Sequence, residues 1–535
     1  MQPHICYDDV AWEKSEEIAD TWVDQFFDPS ISRPVGNFLL KHHKPDNPVR
    51  FDILDKGTFN ISLRMTYKTG AAIIRFPLPG ATMFPEEKLR SEVAIMRYIH
   101  DETPVPVPFV LHCGPKKDSP LELGPFIIME YIEHNSNMYD LLNIPNCPGK
   151  ERGRLNPSID ENLLQTLYGE LATVLLQLSQ PSFSQIGSFS QVDDFTWEVS
   201  SRPLSIYANE LVRLGSLPQS KLPSQKTTFI SASSYFEALA ETHIAHLTFQ
   251  RNDSIESADD CRRKFVGRHL FRKLARERKL TKRWSEFDQG PFKIWCDDFR
   301  PANVLVTKDL KIAGVVDWEF TYAAPVEFSY APPWWLLIER PEYWSKGLED
   351  WTQEFDRRLQ TFLKAMIDRE DAAMIKEEQR LSGPMRESWE SGDFWVMYAA
   401  RNSFAFDSIY WRKIDQRFFG PVGDVEDAWR QRLDLLSDEQ KYEMERLVAQ
   451  KVKEMESRVL AWDPDEYTLA HIDIAQTTAE KDAEKVEGVE EEVQKEDLTS
   501  DEGKMDGAHD LEAKANASDV QQISEKLANL PAELS

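Results

Sequence analysis

The stretch KIWCDDFRPANVLV, residues 293–306, places the adjacent aspartates Asp297 and Asp298 between two apolar runs, with Asn303 five positions after the second aspartate. Adjacent side chains point in different directions in an extended or loop backbone, so this pair is not expected to form the acid and base of a glycosidase. One interpretation is that Asp298 and Asn303 cap a turn before a buried strand. The other is that they belong to a catalytic site.

A third polar side chain favours the catalytic interpretation. The sequence predicts two short strands, around 303–307 and 311–316, and Asp317 directly follows the second. Oxygen atoms of Asp298, Asn303 and Asp317 would then meet at one site, which suits Mg²⁺ because this ion takes few protein ligands and leaves positions for phosphate. In phosphoryl transfer, Asp298 would accept or orient the proton of an attacking hydroxyl, while Asn303 and Asp317 hold the metal.

The first 132 residues predict a small sheet with one helix. Segment 51–78 has the alternation and turn residues of three short strands. A helix begins after Pro85, and the segments 105–114 and 124–132 supply two further strands. The rest of the chain is mainly helical in pattern, with amphipathic helices predicted at 161–180, 233–249, 261–280, 351–367 and 437–455.

These motifs resemble those of the aminoglycoside phosphotransferase and choline kinase type of kinase-like protein, specifically its fungal phosphotransferase enzyme family branch. CDDFRPAN, residues 296–303, is similar to the catalytic loop of that family, and VDWE, residues 316–319, to its metal motif. The resemblance implies an α+β, two-lobed protein kinase-like fold with a small antiparallel-sheet N-lobe and a larger, mainly helical C-lobe. The domains would be a helical extension, the N-lobe, the C-lobe and an acidic, mostly disordered tail, at 1–48, 49–132, 133–467 and 468–535.

The same resemblance assigns nucleotide-binding roles in the N-lobe. Gly57 and Asn60 lie in the phosphate-covering hairpin, Arg75 is the strand cation that binds the nucleotide phosphates, and Glu92 is the helix carboxylate that pairs with it. Backbone groups at Glu130 would meet the adenine. Arg75 and Glu92 could instead be a surface cation and part of a solvated helix face. Arginine is also a planar, bidentate donor and differs from lysine in reach.

Two positions depart from the family pattern. Cys296 stands where the family has a histidine that braces the loop, and a thiol is a much weaker hydrogen-bond partner. Asp297 replaces a glycine, and its carboxylate either recruits a cationic substrate or faces solvent; we expect the solvent-facing arrangement. Cys296 is not expected to be a nucleophile, because no histidine lies within the motif to activate it and the adjacent aspartates would raise its pKa.

Two other segments have alternative interpretations. Residues 262–283 hold eleven basic residues against the single acid Glu277. We expect an amphipathic helix with a solvated cationic face, and a dock for an acidic or phosphate-bearing partner is the alternative. Aromatic residues further on could line an acceptor pocket but more often form core: Trp334, Trp335, Tyr410 and Trp411.

The bulk composition excludes several classes of partner. The formal net charge is −28, so nucleic acids and anionic membranes would be repelled over most of the surface. About ten of these charges lie in residues 480–512, which hold 14 acids against 4 bases. The sequence shows no secretory leader, no apolar segment long enough to span a membrane and no paired cysteines, so a cytoplasmic location is expected.

Together these features predict an ATP- and Mg²⁺-dependent phosphotransferase that acts on a hydroxyl group of a small molecule. A protein kinase is not expected, because the first hairpin lacks GxGxxG and no Ala-Pro-Glu motif follows Asp317. The alternative is a weakly active or inactive kinase-like protein that binds a nucleotide or a partner. Cys296 and Arg75 favour that alternative, whereas the joint presence of Asp298, Asn303 and Asp317 argues for the enzyme.

Overall fold

Two helices precede the first strand in the computed structural model, which describes residues 5–145 and 152–472. They are α1 (Asp9–Asp24) and α2 (Pro29–His42). An aspartate side chain caps each one: Asp8 accepts from the backbone N–H of Ala11, and Asp28 accepts from that of Ser30. Such caps satisfy N–H groups that a first helical turn leaves unpaired.

The N-lobe is built on five strands: β1 (Pro48–Lys56), β2 (Asn60–Tyr67), β3 (Gly70–Pro77), β4 (Val110–Gly114) and β5 (Phe126–Glu130). They form one antiparallel sheet in the order β1-β2-β3-β5-β4. Alternate residues of β2 are buried, as expected for a sheet with one face on the core. Helix α3 (Pro85–Glu102) lies between β3 and β4 in sequence. The predicted strands and the helix after Pro85 are thus confirmed.

The C-lobe is mainly helical. Its helices are α4 (Met138–Leu142), α5 (Glu161–Leu178), α6 (Ile206–Leu214), α7 (Ala232–Phe249), α8 (Ala258–Arg276), α9 (Val326–Tyr330), α10 (Leu348–Ala372), α11 (Ser382–Ser391), α12 (Asp393–Arg401), α13 (Phe406–Ile409), α14 (Asp415–Phe419), α15 (Ala428–Gln431) and α16 (Asp438–Glu454). The five predicted helices correspond to α5, α7, α8, α10 and α16. Helix α5 packs on α10, and α8 packs on both α7 and α16.

Short strands position the motif loops within the C-lobe. They are β6 (Ser136–Asn137), β7 (Ser188–Asp193), β8 (Thr196–Ser201), β9 (Lys293–Cys296), β10 (Val304–Val306), β11 (Ile312–Val315) and β12 (Thr321–Ala324). The β10–β11 hairpin is the predicted strand pair, whereas the β7–β8 hairpin and the β9–β12 pair were not expected from the sequence. Because Cys296 pairs with Thr321, the loops that carry Asp298 and Asp317 lie at the same end of the β9–β12 pair.

The last described segment, residues 466–472, is helical and returns to the N-lobe. The hydroxyl of Tyr467 donates to the carbonyl oxygens of Leu123 and Pro77 at 2.9 and 3.2 Å. The hydroxyl of Thr468 accepts from the backbone N–H of Gly80 at 2.9 Å. The predicted domain boundaries stay predictions. Residues 468–472 of the predicted, mostly disordered tail are helical, and the rest of that tail lies outside the described residues.

The predicted α+β class and two-lobed protein kinase-like fold are confirmed. A five-stranded antiparallel sheet with one helix forms the smaller lobe, and a mainly helical lobe carries both motif loops. Within the described ranges, none of the helices has the length and apolar character needed to cross a bilayer.

Candidate active site

A cleft of about 740 Å³ separates the N-lobe sheet from the motif loops of the C-lobe. The structure brings every predicted site residue to its wall: Gly57, Asn60, Arg75, Glu92, Glu130, Asp298, Asn303 and Asp317. Apolar side chains from both lobes line the same cleft, among them Ile73, Met129, Leu305 and Val316. A cleft with apolar walls and a few converging polar groups is typical of a small-ligand site.

Asn303 closes the loop that carries Asp298. Its Nδ2 atom donates to the backbone oxygen of Asp298 at 2.9 Å and to the Oδ2 atom of the same residue at 3.0 Å. The Nε atom of Arg300 lies 3.0 Å from the other carboxylate oxygen. Burial raises the pKa of Asp298, and the charge of Arg300 partly opposes that increase. These contacts therefore hold the carboxylate in one orientation. The increase in its pKa is in the direction that suits a general base.

Asp317 occupies a strained backbone position at the end of the β10–β11 hairpin. Its φ is +59°, a region that residues other than glycine seldom adopt. The indole nitrogen of the next residue, Trp318, donates to the carbonyl oxygen of Val315 at 2.9 Å and anchors the turn. The Asp317 side chain is 40% exposed, although its partner Arg75 is buried. Strain of this kind accompanies functional positions, and here the carboxylate is accessible from the cleft.

Arg75 joins Asp317 to the N-lobe. Its Nη1 atom donates to Oδ1 of Asp317 at 2.8 Å, and its Nη2 atom donates to Glu92. Arg75 and Glu92 are both buried, so neither is the surface group of the alternative interpretation. A guanidinium group can bond two carboxylates at once because its donors form a planar fork.

A second charged cluster, missed by the sequence analysis, lies beside the first. The ammonium group of Lys88 on α3 pairs with Glu319 and donates to Oδ1 of Asn60 at 2.6 Å. The Nδ2 atom of Asn60 donates to Glu319 at 2.8 Å. Burial raises the pKa of Glu319, but the charges of Lys88 and Arg75 outweigh this effect and hold the pKa below its ordinary value. One sequence signal could have found Lys88: it lies four residues before Glu92, on the same helix face.

The hairpin and the link between the lobes contribute mainly backbone groups. The N–H of Gly57 donates to the carbonyl oxygen of Asn60 at 2.9 Å, which closes the β1–β2 turn. The backbone N–H groups of Glu130 and Tyr131 donate to the carbonyl oxygens of Phe109 and Ala71, respectively. In the described chain, the N–H of Ile132 has no such partner, so it is the first free donor of the link.

Cys296 is a packing residue. Its sulfur lies 3.9 Å from the carbonyl oxygens of both Asp317 and Glu319. Burial raises the pKa of the thiol, so the reactive thiolate is disfavoured. The thiol therefore supports the backbone of the metal motif without acting as a nucleophile.

The expectation that Asp297 faces solvent is wrong. Its side chain is 0% exposed and lies 3.7 Å from Nη1 of Arg401. Its carboxylate also accepts from the indole of Trp295 at 2.7 Å and from the backbone N–H of Ile206 at 3.2 Å. Asp297 therefore connects the catalytic loop to α6 and α12, and these partners are too distant in sequence to be inferred from the motif.

Acidic side chains of the same protein neutralise much of the charge of the basic segment, residues 262–283. Arg268 is fully buried and forms two hydrogen bonds with Asp407, at 2.7 and 3.0 Å. Other cations of the segment pair with acids: Arg262 with Glu445, Arg263 with Glu426, Lys264 with Asp260, and Arg276 with Glu237 and Glu241. The solvated cationic face expected from the sequence is therefore interrupted by carboxylates, and a phosphate dock is not favoured.

The four singled-out aromatic residues do not line the large cleft. Trp335, Tyr410 and Trp411 are buried in the core, and Trp334 is half-buried behind Arg340. Residues that the sequence analysis did not select line the C-lobe side of the cleft instead: Tyr7, Tyr207, Arg340, Glu342, Tyr343, Asn402 and Phe404.

The donor atoms in the cleft fit Mg²⁺ bound together with phosphates. Within residues 5–145 and 152–472, no cluster of three or more His, Cys, Asp or Glu side chains is arranged to hold a metal ion. Asp317 and the Oδ1 atom of Asn303 nevertheless offer hard oxygen ligands at the cleft wall. Mg²⁺ requires only one or two protein carboxylates when phosphate and water complete its shell.

Comparison with solved structures gives low similarity over most of the chain. A ternary complex of a thermostable mutant of aminoglycoside phosphotransferase APH(4)-Ia with AMP-PNP and hygromycin B has 15% identity and a TM-score of 0.36, covering 72% of this chain and 99% of the other. Another APH(4)-Ia structure has 13% identity and a TM-score of 0.38, over 78% and 98%. The GDP complex of wild-type aminoglycoside 2'-phosphotransferase-IIIa has 10% identity and a TM-score of 0.34, over 78% and 96%.

Comparison at the level of families is decisive. None of the curated proteins matches the chain. The profile of the phosphotransferase enzyme family matches residues 60–359, which is more than half of the sequence and includes both motif loops. The chain therefore belongs to the phosphotransferase enzyme family.

Proposed function

We propose that this phosphotransferase transfers the terminal phosphoryl group of ATP, with Mg²⁺, to a hydroxyl group of a small molecule. The observation that carries the proposal is the shared cleft: the partly buried base Asp298 and the Arg75–Asp317 pair line the same space. A phosphotransferase needs these two elements in one site, because positioning and charge neutralisation supply most of the catalysis.

Each group has a defined task in this reaction. Asp298 accepts the proton as the substrate oxygen bonds to phosphorus and the bond to the ADP oxygen breaks. Arg75 binds phosphate oxygens from the N-lobe, and Ile132 offers its N–H to the base of the nucleotide. Asn303 and Asp317 would hold Mg²⁺. When bound, the ion neutralises phosphate charge that develops in the transition state.

The decisive experiment is calorimetric titration of ATP into the protein, with and without Mg²⁺. Asp317→Ala is compared with Asp309→Ala, which removes an exposed carboxylate in the turn of the same β10–β11 hairpin. We expect Mg²⁺-dependent binding by the wild type and by Asp309→Ala, and its loss in Asp317→Ala. ADP release in the presence of candidate hydroxyl compounds then identifies the acceptor, and competition with GTP tests the choice of nucleotide.

Binding that is independent of Mg²⁺ and unaffected by Asp317→Ala would contradict the metal assignment. Nucleotide binding without ADP release from any hydroxyl compound would favour the inactive, kinase-like alternative. Unaltered turnover by Asp317→Ala would also reject the proposed site.

A further inference from the structure

The C-lobe side of the cleft contains an arginine without a carboxylate partner. Three arginines line the cleft: Arg75, Arg300 and Arg340. Arg75 is committed to Glu92 and Asp317, and Arg300 to Asp298. In the part of the chain that the structure describes, the guanidinium group of Arg340 makes neither an ion pair within 4.0 Å nor a hydrogen bond.

Two aromatic rings hold this side chain in place. The guanidinium carbon of Arg340 lies 4.9 Å from the ring centre of Trp334 and 5.9 Å from that of Tyr207. Such cation–π contacts restrict the side chain without consuming its N–H donors. The donors therefore remain available for an oxyanion that offers two adjacent oxygens, which match the fork of the guanidinium group.

The loop that carries Arg340 is rigid and strained. The φ of Ile338 is +66°, an outlier for a β-branched residue. The loop is fixed by a hydrogen bond from Leu155 N–H to the carbonyl oxygen of Leu337 at 3.0 Å, and by one from the Trp351 indole to that of Glu339 at 3.0 Å. Strain maintained by several contacts is typical of a functional loop.

The carboxylates on the same wall are less able to bind a cation. Both oxygens of Glu342 are engaged: one accepts from the Tyr398 hydroxyl at 2.6 Å and the other from Asn402 at 3.0 Å. Glu210 lies 3.7 Å from Arg213 and accepts from the side chain of Asn209 at 3.2 Å, and burial raises its pKa. These two carboxylates are therefore already contacted by other groups of the protein, whereas the guanidinium donors of Arg340 are not, within the described part of the chain.

Arg340 shares the cleft with the base. Asp298 and Arg340 both line its wall. A group bound by Arg340 would thus lie in the same cavity as a hydroxyl positioned against Asp298.

We infer that Arg340 binds an oxyanion of the acceptor, so the substrate is an alcohol that also carries a carboxylate, sulfate or phosphate group. This inference rests on the proposed function for its description of the ligand as an acceptor. The anion site itself can be tested without turnover, which keeps the two proposals separable.

The test uses inorganic sulfate as the oxyanion probe and choline as a cationic probe. Each is titrated calorimetrically into protein saturated with Mg²⁺ and AMP-PNP, so that the phosphate positions of the nucleotide are already filled. The variants are Arg340→Gln, Arg340→Lys and, as a matched control, Arg386→Gln, which changes an exposed arginine outside the cleft. AMP-PNP binding and thermal unfolding of each variant show whether it is folded.

We expect sulfate to bind the wild type and Arg386→Gln equally. Its affinity should fall about tenfold or more in Arg340→Gln, because a charge-assisted contact is lost, and less in Arg340→Lys. Absence of sulfate binding by the wild type, undiminished binding by Arg340→Gln, or binding of choline in place of sulfate would each overturn the inference. Sulfate binding that depends on Arg340 in a protein that does not bind AMP-PNP would retain the anion site and reject the proposed function.

Discussion

The Nη1 atom of Arg75 donates a 2.8 Å hydrogen bond to Oδ1 of Asp317, while Nη2 of the same guanidinium bonds Glu92. One side chain thereby links strand β3, helix α3 and the metal-motif loop of the C-lobe. A lysine has a single ammonium nitrogen on a flexible stem and cannot reproduce this planar fork. The arginine that departs from the protein kinase pattern is thus matched to two carboxylates, one on each side of the cleft.

Replacing Arg75 should affect both stability and nucleotide binding. Arg75→Ala leaves the buried Glu92 without its cation, and we expect a loss of about 3–5 kcal/mol in the free energy of unfolding. Arg75→Lys should lose less, because it keeps the charge, and ATP affinity should fall in both variants. Urea unfolding and calorimetry measure the two effects. Arg50→Ala, at an exposed position on β1, is the control, and equal stability of Arg75→Ala and this control would refute the buried-pair interpretation.

Asp298→Asn should separate binding from chemistry. The amide is similar in size to the carboxylate but cannot accept the proton, so we expect kcat to fall by about 100-fold or more. ATP affinity should change little. The slow hydrolysis of ATP by water, or ADP release once an acceptor is known, supplies the rate. Asp309→Asn is the matched control, and a wild-type rate in Asp298→Asn would show that another group accepts the proton.

The buried Arg268–Asp407 pair should stabilise the C-lobe without a role in ligand binding. Asp407→Ala leaves Arg268 buried and unpaired, and we expect a loss of about 3–5 kcal/mol in the free energy of unfolding. Glu445→Ala, which removes the exposed partner of Arg262, should cost less than about 1 kcal/mol. Chemical denaturation measures both. If the folded Asp407→Ala protein lost ATP affinity, the basic segment would have more than a structural role.

Glu327 should make stability depend on pH. Both carboxylate oxygens of this buried residue lack a hydrogen-bond partner in the described chain, and burial raises its pKa from 4.5 to about 8. The charged groups that act on it, Asp288, Asp393 and Glu286, are acidic and contribute to the same increase. Between pH 4.5 and 8 the folded protein therefore binds more protons at this site than the unfolded chain, so the Glu327 contribution to stability falls as pH rises.

Glu327→Gln removes this titration. We expect the variant to gain stability relative to the wild type between pH 5.5 and pH 8, by about 3 kcal/mol. Urea unfolding at the two pH values gives the difference, and Glu378→Gln, at an exposed position that is not among the groups acting on Glu327, is the control. A stability difference that stays constant with pH would show that Glu327 is ionised in the folded protein.

The parts of the site that could be predicted are local in sequence. Asp298 and Asn303 share one short loop, and Asp317 ends the next hairpin, so strand pairing alone brings them together. Lys88 shares a helix face with Glu92, yet its partner Glu319 lies on the other lobe. Propensity and periodicity identify a helix face but not the group that meets it.

Residues on the C-lobe side of the cleft were even harder to predict from the sequence. Asp297 is buried because Arg401 and the N–H of Ile206 converge on it, and both arrive through helix packing. Arg340 reaches the cleft on an irregular loop shaped by Ile338, for which the sequence has no periodic signal. The strands β9 and β12 were also missed, because they pair with each other across the intervening β10–β11 hairpin, and the local sequence pattern does not show so distant a pairing.

The contacts of Tyr467 and Thr468 have a consequence for the order of events during synthesis. The ribosome completes the N-lobe sheet early, but the side chains that bond the carbonyl groups of Pro77 and Leu123 emerge only after the whole C-lobe has been translated. Closing so large a loop carries an entropic cost and slows folding. A nascent chain therefore holds an incompletely covered N-lobe until residues 466–472 leave the exit tunnel, and a premature stop codon just upstream would leave it permanently in that state.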